Sequence, residues 1–151
     1  MNILIVEDDP GVSASIIRLL KEVPATLVRA PMWRGMEEAL KVSHFDLILL
    51  DLGLPDSSTD ETLLKIKDLK MRYPATAVCV ITGQPSQNAE TAQNAGADTF
   101  LHKTEVFQPH RLISVISALF SRTSKASNNL DAQTELLKQA VPAVIEEMNK
   151  K

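Results

Sequence analysis

Over the first 121 residues, short apolar runs of β-favouring residues alternate with segments of helical spacing. This alternation restricts the fold more than any other feature of the chain. The runs are ILIV (3–6), ATLVRA (25–30), FDLILL (45–50), AVCVIT (77–82) and DTFLHK (98–103). Apolar residues recur at threes and fours between them: Val12, Ile16, Leu19, Leu20 and Val23 from residue 11, and Met32, Met36, Ala39 and Leu40 within 32–42. The same spacing places Leu63, Leu64, Ile66 and Leu69 on a helix over 59–72, and Phe107, Leu112, Val115, Ile116 and Leu119 on one over 105–121. Residues 86–95 are polar and Ala-rich, with a stop at Gly96. Asp9 before Pro10 reads as a cap followed by proline at the first helical position, and Thr59 or Asp60 can cap the third helix. Continuous apolar strands separated by helices imply a parallel sheet covered on both faces. With right-handed crossovers, the expected fold is a doubly wound α/β domain of five helices and a five-stranded sheet in the order 2-1-3-4-5.

Beyond residue 121 the composition changes. SRTSKASNN is polar, and residues 122–128 read as a linker between a domain over 1–121 and a C-terminal extension over 129–151. In that extension Leu130, Leu137, Val141, Val144 and Met148 follow a heptad-like seam, which suggests an amphipathic helix kinked or restarted at Pro142. A net charge of −3 supplies no basic stripe, and 30 residues leave no room for a helix-turn-helix, so no direct nucleic-acid contact is expected. The N-terminus MNILIVEDDP lacks the basic and apolar regions of a secretory leader, and no run is long enough to span a bilayer. The single Cys79 lies in an apolar run and suits a reducing, cytoplasmic setting. His44, His102 and His110 have no metal-ligand spacing, and Trp33 reads as packing or surface at the second helix.

In a doubly wound sheet, ligands bind outside the carboxyl ends of the strands at the switch point, here between strands 1 and 3. Glu7, Asp8 and Asp9 follow strand 1, Asp51 ends strand 3, Thr82 ends strand 4 and Lys103 ends strand 5. Taken singly, each has a plain structural role as a cap, a turn residue or a surface lysine. Together they bring acids, a hydroxyl and an ammonium to one crevice. Two carboxylates ~4 Å apart repel by about 4 kcal/mol at an effective dielectric near 20, so the cluster must take up protons or share a cation. Mg²⁺ binds one or two carboxylates while keeping waters and a substrate phosphate. With Lys103, such a cluster could neutralise a phosphoryl group under attack by a carboxylate.

The motifs ILIVEDD, DLILLDLGLPD, VITG and AGADTFLHK, in that order, resemble receiver domains of two-component response regulators over residues 1 to about 121. The resemblance implies a flavodoxin-like fold and assigns roles by position. Asp51 corresponds to the phospho-acceptor. Glu7 and Asp8 correspond to the acidic pair that holds Mg²⁺, with Asp8 a direct ligand. Gly53 would offer the metal its backbone carbonyl. Thr82 corresponds to the switch hydroxyl, Lys103 to the lysine that pairs with phosphoryl oxygens, and Phe100 to the switch aromatic. Asp9 falls one place beyond the pair and remains the helix cap. Many members carry Lys-Pro with a cis peptide at the end of strand 5, whereas this chain has Lys103-Thr104. A non-proline cis bond costs roughly 2.5–4 kcal/mol, so a trans peptide is expected.

The resemblance implies a switch phosphorylated by a histidine kinase or histidine phosphotransfer protein. The signal would leave through the helix 4–strand 5–helix 5 surface, with a homodimer forming there or through the C-terminal helix. Gln84 and Gly53 would tune hydrolysis of the acyl phosphate, and Pro85 would stiffen the loop after Thr82. Enzymatic function beyond that chemistry is not expected. Two other readings stay open: a phosphorylation-independent interaction module on this fold, and an Asp-nucleophile phosphohydrolase. The second is disfavoured because Gly53 stands where such enzymes carry a second acid.

Overall fold

Asp9 and Pro10 start the first helix as their chemistry requires. The Asp9 Oδ1 accepts from the backbone N–H groups of Gly11 (2.8 Å) and Val12 (3.2 Å), and Pro10 occupies a position whose N–H would have no partner. The computed structural model describes residues 1–83, 87–108 and 110–126. In chain order they form β1 (Asn2–Val6), α1 (Pro10–Leu19), β2 (Thr26–Ala30), α2 (Trp33–Val42), β3 (Leu47–Asp51), α3 (Thr59–Arg72), β4 (Ala77–Thr82), α4 (Gln87–Asn94), β5 (Thr99–His102), α5 (Lys103–Val106) and α6 (Arg111–Ala126). Gln84, Pro85 and the extension over 129–151 with its Pro142 lie outside the described residues.

The sheet is parallel throughout, in the order β2-β1-β3-β4-β5. Its strands are apolar end to end because both faces are covered. Leu4, Val6, Ile48, Leu50, Val78 and Val80 face α2 and α3, where Met36, Leu40, Ile66 and Leu69 meet them. Ile3, Ile5, Leu47, Leu49, Cys79 and Ile81 face α1 and α6, against Ile16, Leu20, Leu112 and Ile116. Each fully buried Leu or Ile contributes roughly 1.5–3 kcal/mol. Cys79 belongs to this core, and burial pushes its thiol up to about 12, which leaves it unreactive. Trp33 is buried at the start of α2, with the Lys65 ammonium 5.0 Å from its ring centroid.

Three expectations about element ends need correction. The cap of α3 is Ser58, whose Oγ accepts from the Glu61 N–H, and not Thr59 or Asp60. The helix expected over 105–121 is two helices, so the described residues hold six rather than five, and His110 takes a φ of 66° between them. Finally, α6 continues through Ala126, into the stretch read as a linker. The predicted stop at Gly96 is found: its φ is +110°, and Gly96 N–H to Gln93 O (3.0 Å) with Ala97 N–H to Ala92 O (3.1 Å) completes a Schellman motif.

One cap comes from a distant element. Met32 precedes α2 without a capping side chain. Asp56, in the loop after β3, instead accepts from the N–H groups of Trp33 (2.8 Å) and Arg34 (3.0 Å). Burial acts to raise its pKa, but these donors outweigh it and hold the carboxyl below its ordinary value. Asp56→Ala is expected to lower stability by about 1 kcal/mol, measured by urea denaturation at neutral pH, whereas Asp56→Asn should retain most of it.

Candidate functional site

The sheet register brings the polar residues together. Val6 pairs with Leu50 and Leu50 with Val80, so β1, β3 and β4 run out of apolar residues at nearly the same level. Glu7 follows Val6, Asp51 follows Leu50 and pairs with Ile81, and Thr82 follows Ile81 and pairs with His102. The Glu7 N–H continues the β1–β2 ladder to Ala30 O at 3.1 Å.

Glu7 and Asp51 are 2% and 5% exposed, while Asp8 lies open to solvent. One carboxylate oxygen from each of Glu7, Asp8 and Asp51 lies within 4.8 Å of the others. Lys103 Nζ stands 3.4 Å from Glu7 Oε1 and 3.5 Å from Asp51 Oδ2. Burial pushes Glu7 up to about 7, reinforced by its hydrogen bond with Asp51 and by the Asp51 charge. Lys103 and the Asp9 N–H, 3.3 Å from Glu7 Oε1, oppose the rise only in part. For Lys103 burial works against the ammonium, yet the Asp51 and Glu7 carboxylates raise its pKa above the ordinary value. With all groups ionised, three carboxylates and one ammonium leave two negative charges, which a single divalent cation cancels. The all-oxygen donor set, with one carboxylate open to water, fits Mg²⁺.

Of the other described residues singled out from the sequence, Thr82, Gly53 and Lys103 lie at or beside this edge, and Phe100 lies two residues inside it on β5. Thr82 is buried at the end of β4. The Gly53 N–H donates to Asp51 Oδ1 at 3.3 Å, and a Cβ placed on Gly53 would meet nothing within 4 Å. Phe100 is half-buried and packs on the sheet face that bears Leu4 and Val80. Lys103 is not the last residue of β5 but the first of α5. Its stem runs beside Gly83, whose added Cβ would sit 3.7 Å from Lys103 Cδ.

The turn after β5 uses chemistry that sequence reasoning missed. His102 Nδ1 accepts from the Thr104 N–H at 3.2 Å and lies 2.8 Å from Thr104 Oγ1. The imidazole thus caps α5 at the place where Lys-Pro is common, and the Lys103–Thr104 peptide is trans as expected. Arg29 was missed as well. Its position as a charge near the end of an apolar strand was the only signal in the sequence.

A doubly wound sheet with buried acids at its switch point, faced by a lysine from the start of α5, defines an acid-pocket class of α/β domain. The response regulator receiver domain family matches residues 3–117, and the chain belongs to it. Among curated relatives, the cell cycle response regulator CtrA of Brucella ovis is 28% identical over 145 residues, covering 89% of this chain and 60% of that protein. The chain therefore spans about 60% of the length of the curated relatives it matches. Among solved structures, a CheY-like receiver domain protein from Methanospirillum hungatei JF-1 superposes with a TM-score of 0.72 at 26% identity, covering 83% of this chain and 97% of that one. The beryllofluoride-activated NtrC4 receiver domain dimer gives a TM-score of 0.72 at 29% identity, with coverages of 82% and 98%. Two-component signal transduction is thus the setting of this domain.

Proposed function

We propose that the chain is a phosphorylation switch whose acceptor is Asp51. The observation that carries this reading is the buried carboxylate pair Glu7 and Asp51, with the Lys103 ammonium within 3.5 Å of both. A phosphohistidine on a histidine kinase or phosphotransfer protein is the donor. An Asp51 oxygen attacks phosphorus, the P–N bond breaks, and the leaving imidazole nitrogen takes a proton from solvent. Glu7, Asp8, Asp51 and the Gly53 carbonyl would hold Mg²⁺, which offsets charge on the transferring group. Lys103 offers the phosphoryl oxygens a second cation, and the backbone at Gly53 leaves the approach open.

Thr82 then moves to the phosphoryl group, Phe100 repacks, and the surface of α4, β5 and α6 changes. Partner binding or dimerisation follows at that surface or through the C-terminal extension. The NtrC4 neighbour is itself a beryllofluoride-activated dimer, which supports such assembly here. Water later hydrolyses the acyl phosphate. The reading places the domain in the cytoplasm, supported by the reduced core thiol of Cys79. Among the described residues no helix is long and apolar enough to cross a membrane. The expectation of no direct nucleic-acid contact applies to this receiver domain and not to the remaining length of its relatives.

Beryllofluoride with Mg²⁺ tests the proposal. NMR shift changes are expected at Thr82, Lys103, Phe100 and α4, with saturation at a 1:1 complex. Absence of any shift at those positions would remove the reading.

A further inference from the structure

The acidic pair is held from outside by a residue on the neighbouring strand. Arg29 is paired in register with Ile5 on β1. Its guanidinium Nη2 donates to the backbone carbonyls of Asp8 (3.2 Å) and Glu7 (3.4 Å), and its Nε donates to Ser13 Oγ at 2.7 Å. Ser13 is 1% exposed, and its hydroxyl lies 3.0 Å from Asp9 O and 3.3 Å from Pro10 O. One planar group therefore ties together β2, the carbonyls of both acids and the first turn of α1. Opposite the Glu7 carboxylate stand the Lys103 ammonium and the Asp9 N–H, while Asp8 lies open to solvent. Without a tie on the main chain, mutual repulsion would spread the turn that carries them.

We infer that Arg29 is a positioning residue for the cation site: its clamp on the Glu7 and Asp8 carbonyls and on Ser13 fixes the spacing of the carboxylates before metal arrives. The inference rests on the proposed Mg²⁺ site. It assigns Arg29 a geometric role that a positive charge alone does not fill. Arginine's fork can bond Ser13 and two carbonyls at once, whereas a lysine ammonium on a flexible stem is a point charge. Groups that orient metal ligands typically change metal affinity 10- to 100-fold when removed.

The test compares Mg²⁺ titrations of the full chain as wild type, Arg29→Ala, Arg29→Lys and Ser13→Ala, each beside a thermal melt in EDTA. Arg29→Ala should weaken Mg²⁺ binding by about 10- to 100-fold. Arg29→Lys should lose most of the affinity too, and Ser13→Ala should shift in the same direction. In metal-free protein, amide exchange at Asp9, Gly11 and Val12 should quicken in Arg29→Ala while that of Leu4 and Ile5 stays unchanged. Arg29 is exposed, so its variants are expected to fold. Wild-type affinity in Arg29→Ala, or in Arg29→Lys, would overturn the positioning role. Failure of the underlying site reads differently: Asp8→Asn would then bind Mg²⁺ as tightly as wild type, whatever residue stands at 29.

Discussion

An Asp51→Asn chain is expected to lose beryllofluoride binding and phosphoryl uptake entirely, and to gain stability at neutral pH when metal-free. The first effect follows from chemistry, because an amide oxygen is too weak a nucleophile to attack phosphorus and cannot carry an acyl phosphate. The second follows from electrostatics. Asp51 raises the Glu7 pKa through a hydrogen bond and through its charge, next in rank after burial. Replacing it by a neutral group of similar shape removes a buried like-charge contact. The expected gain at pH 7 is about 1 kcal/mol, since the amide can keep a hydrogen bond to Glu7 while the repulsive charge is gone. Differential scanning fluorimetry in EDTA, beside ¹⁹F NMR of beryllofluoride, reads both effects from one preparation. The opposite signs matter: a variant that is more stable yet unable to bind shows that the loss is not unfolding. Retained beryllofluoride binding would remove Asp51 as the acceptor.

The metal-free domain should also lose stability as pH rises from about 5 to 8, and Mg²⁺ should restore it. Glu7 has an ordinary pKa of 4.5 and a folded value of about 7. Between these values the folded chain holds a proton that the unfolded chain has released. The contribution is therefore fully present below about 4.5 and is lost as pH climbs through 7, by about 3 kcal/mol in total. Asp56, held below its ordinary value, acts in the opposite sense, and only at lower pH where its carboxyl protonates. A divalent cation takes the place of the Glu7 proton. Apparent Mg²⁺ affinity should thus rise about tenfold per pH unit below 7 and level off above it. Urea denaturation at four pH values, with EDTA and with Mg²⁺, tests both slopes, and Glu7→Gln should flatten the metal-free one. A metal-free stability that does not change between pH 5 and 8 would contradict the buried shared proton.

The parts of this molecule that were legible in the sequence are those governed by local pattern. Runs such as LILL and AVCVIT are apolar on both faces, so they could only be central parallel strands. Once the strand order follows, the acids and the lysine fall at one edge by topology alone. What was not legible depends on contacts across long stretches of chain. Ser57, Ser58, Thr59 and Asp60 are all capping types, so composition does not choose among them; Ser57 Oγ is engaged with Thr62 at 2.8 Å and Ser58 serves as the cap. By contrast, the step from Phe107 to Leu112 is five residues and contains Pro109, while threes and fours run only from Leu112 to Leu119. A helix breaker thus marks the break at His110 in the sequence. Arg29 bonds carbonyls 21 and 22 residues away, and Asp56 caps a helix 22 and 23 residues before it. Such pairings carry no period to detect.

The acceptor and its counter-groups stand on supports of unequal firmness. Every residue of β3 is buried, with a strand bonded on either side. β5 lies at the sheet margin and has one buried residue in four. Opening is costly at the centre of a core and cheap at its periphery. Asp51 therefore behaves as a stationary anvil, and the clasp that closes on it must travel from the rim.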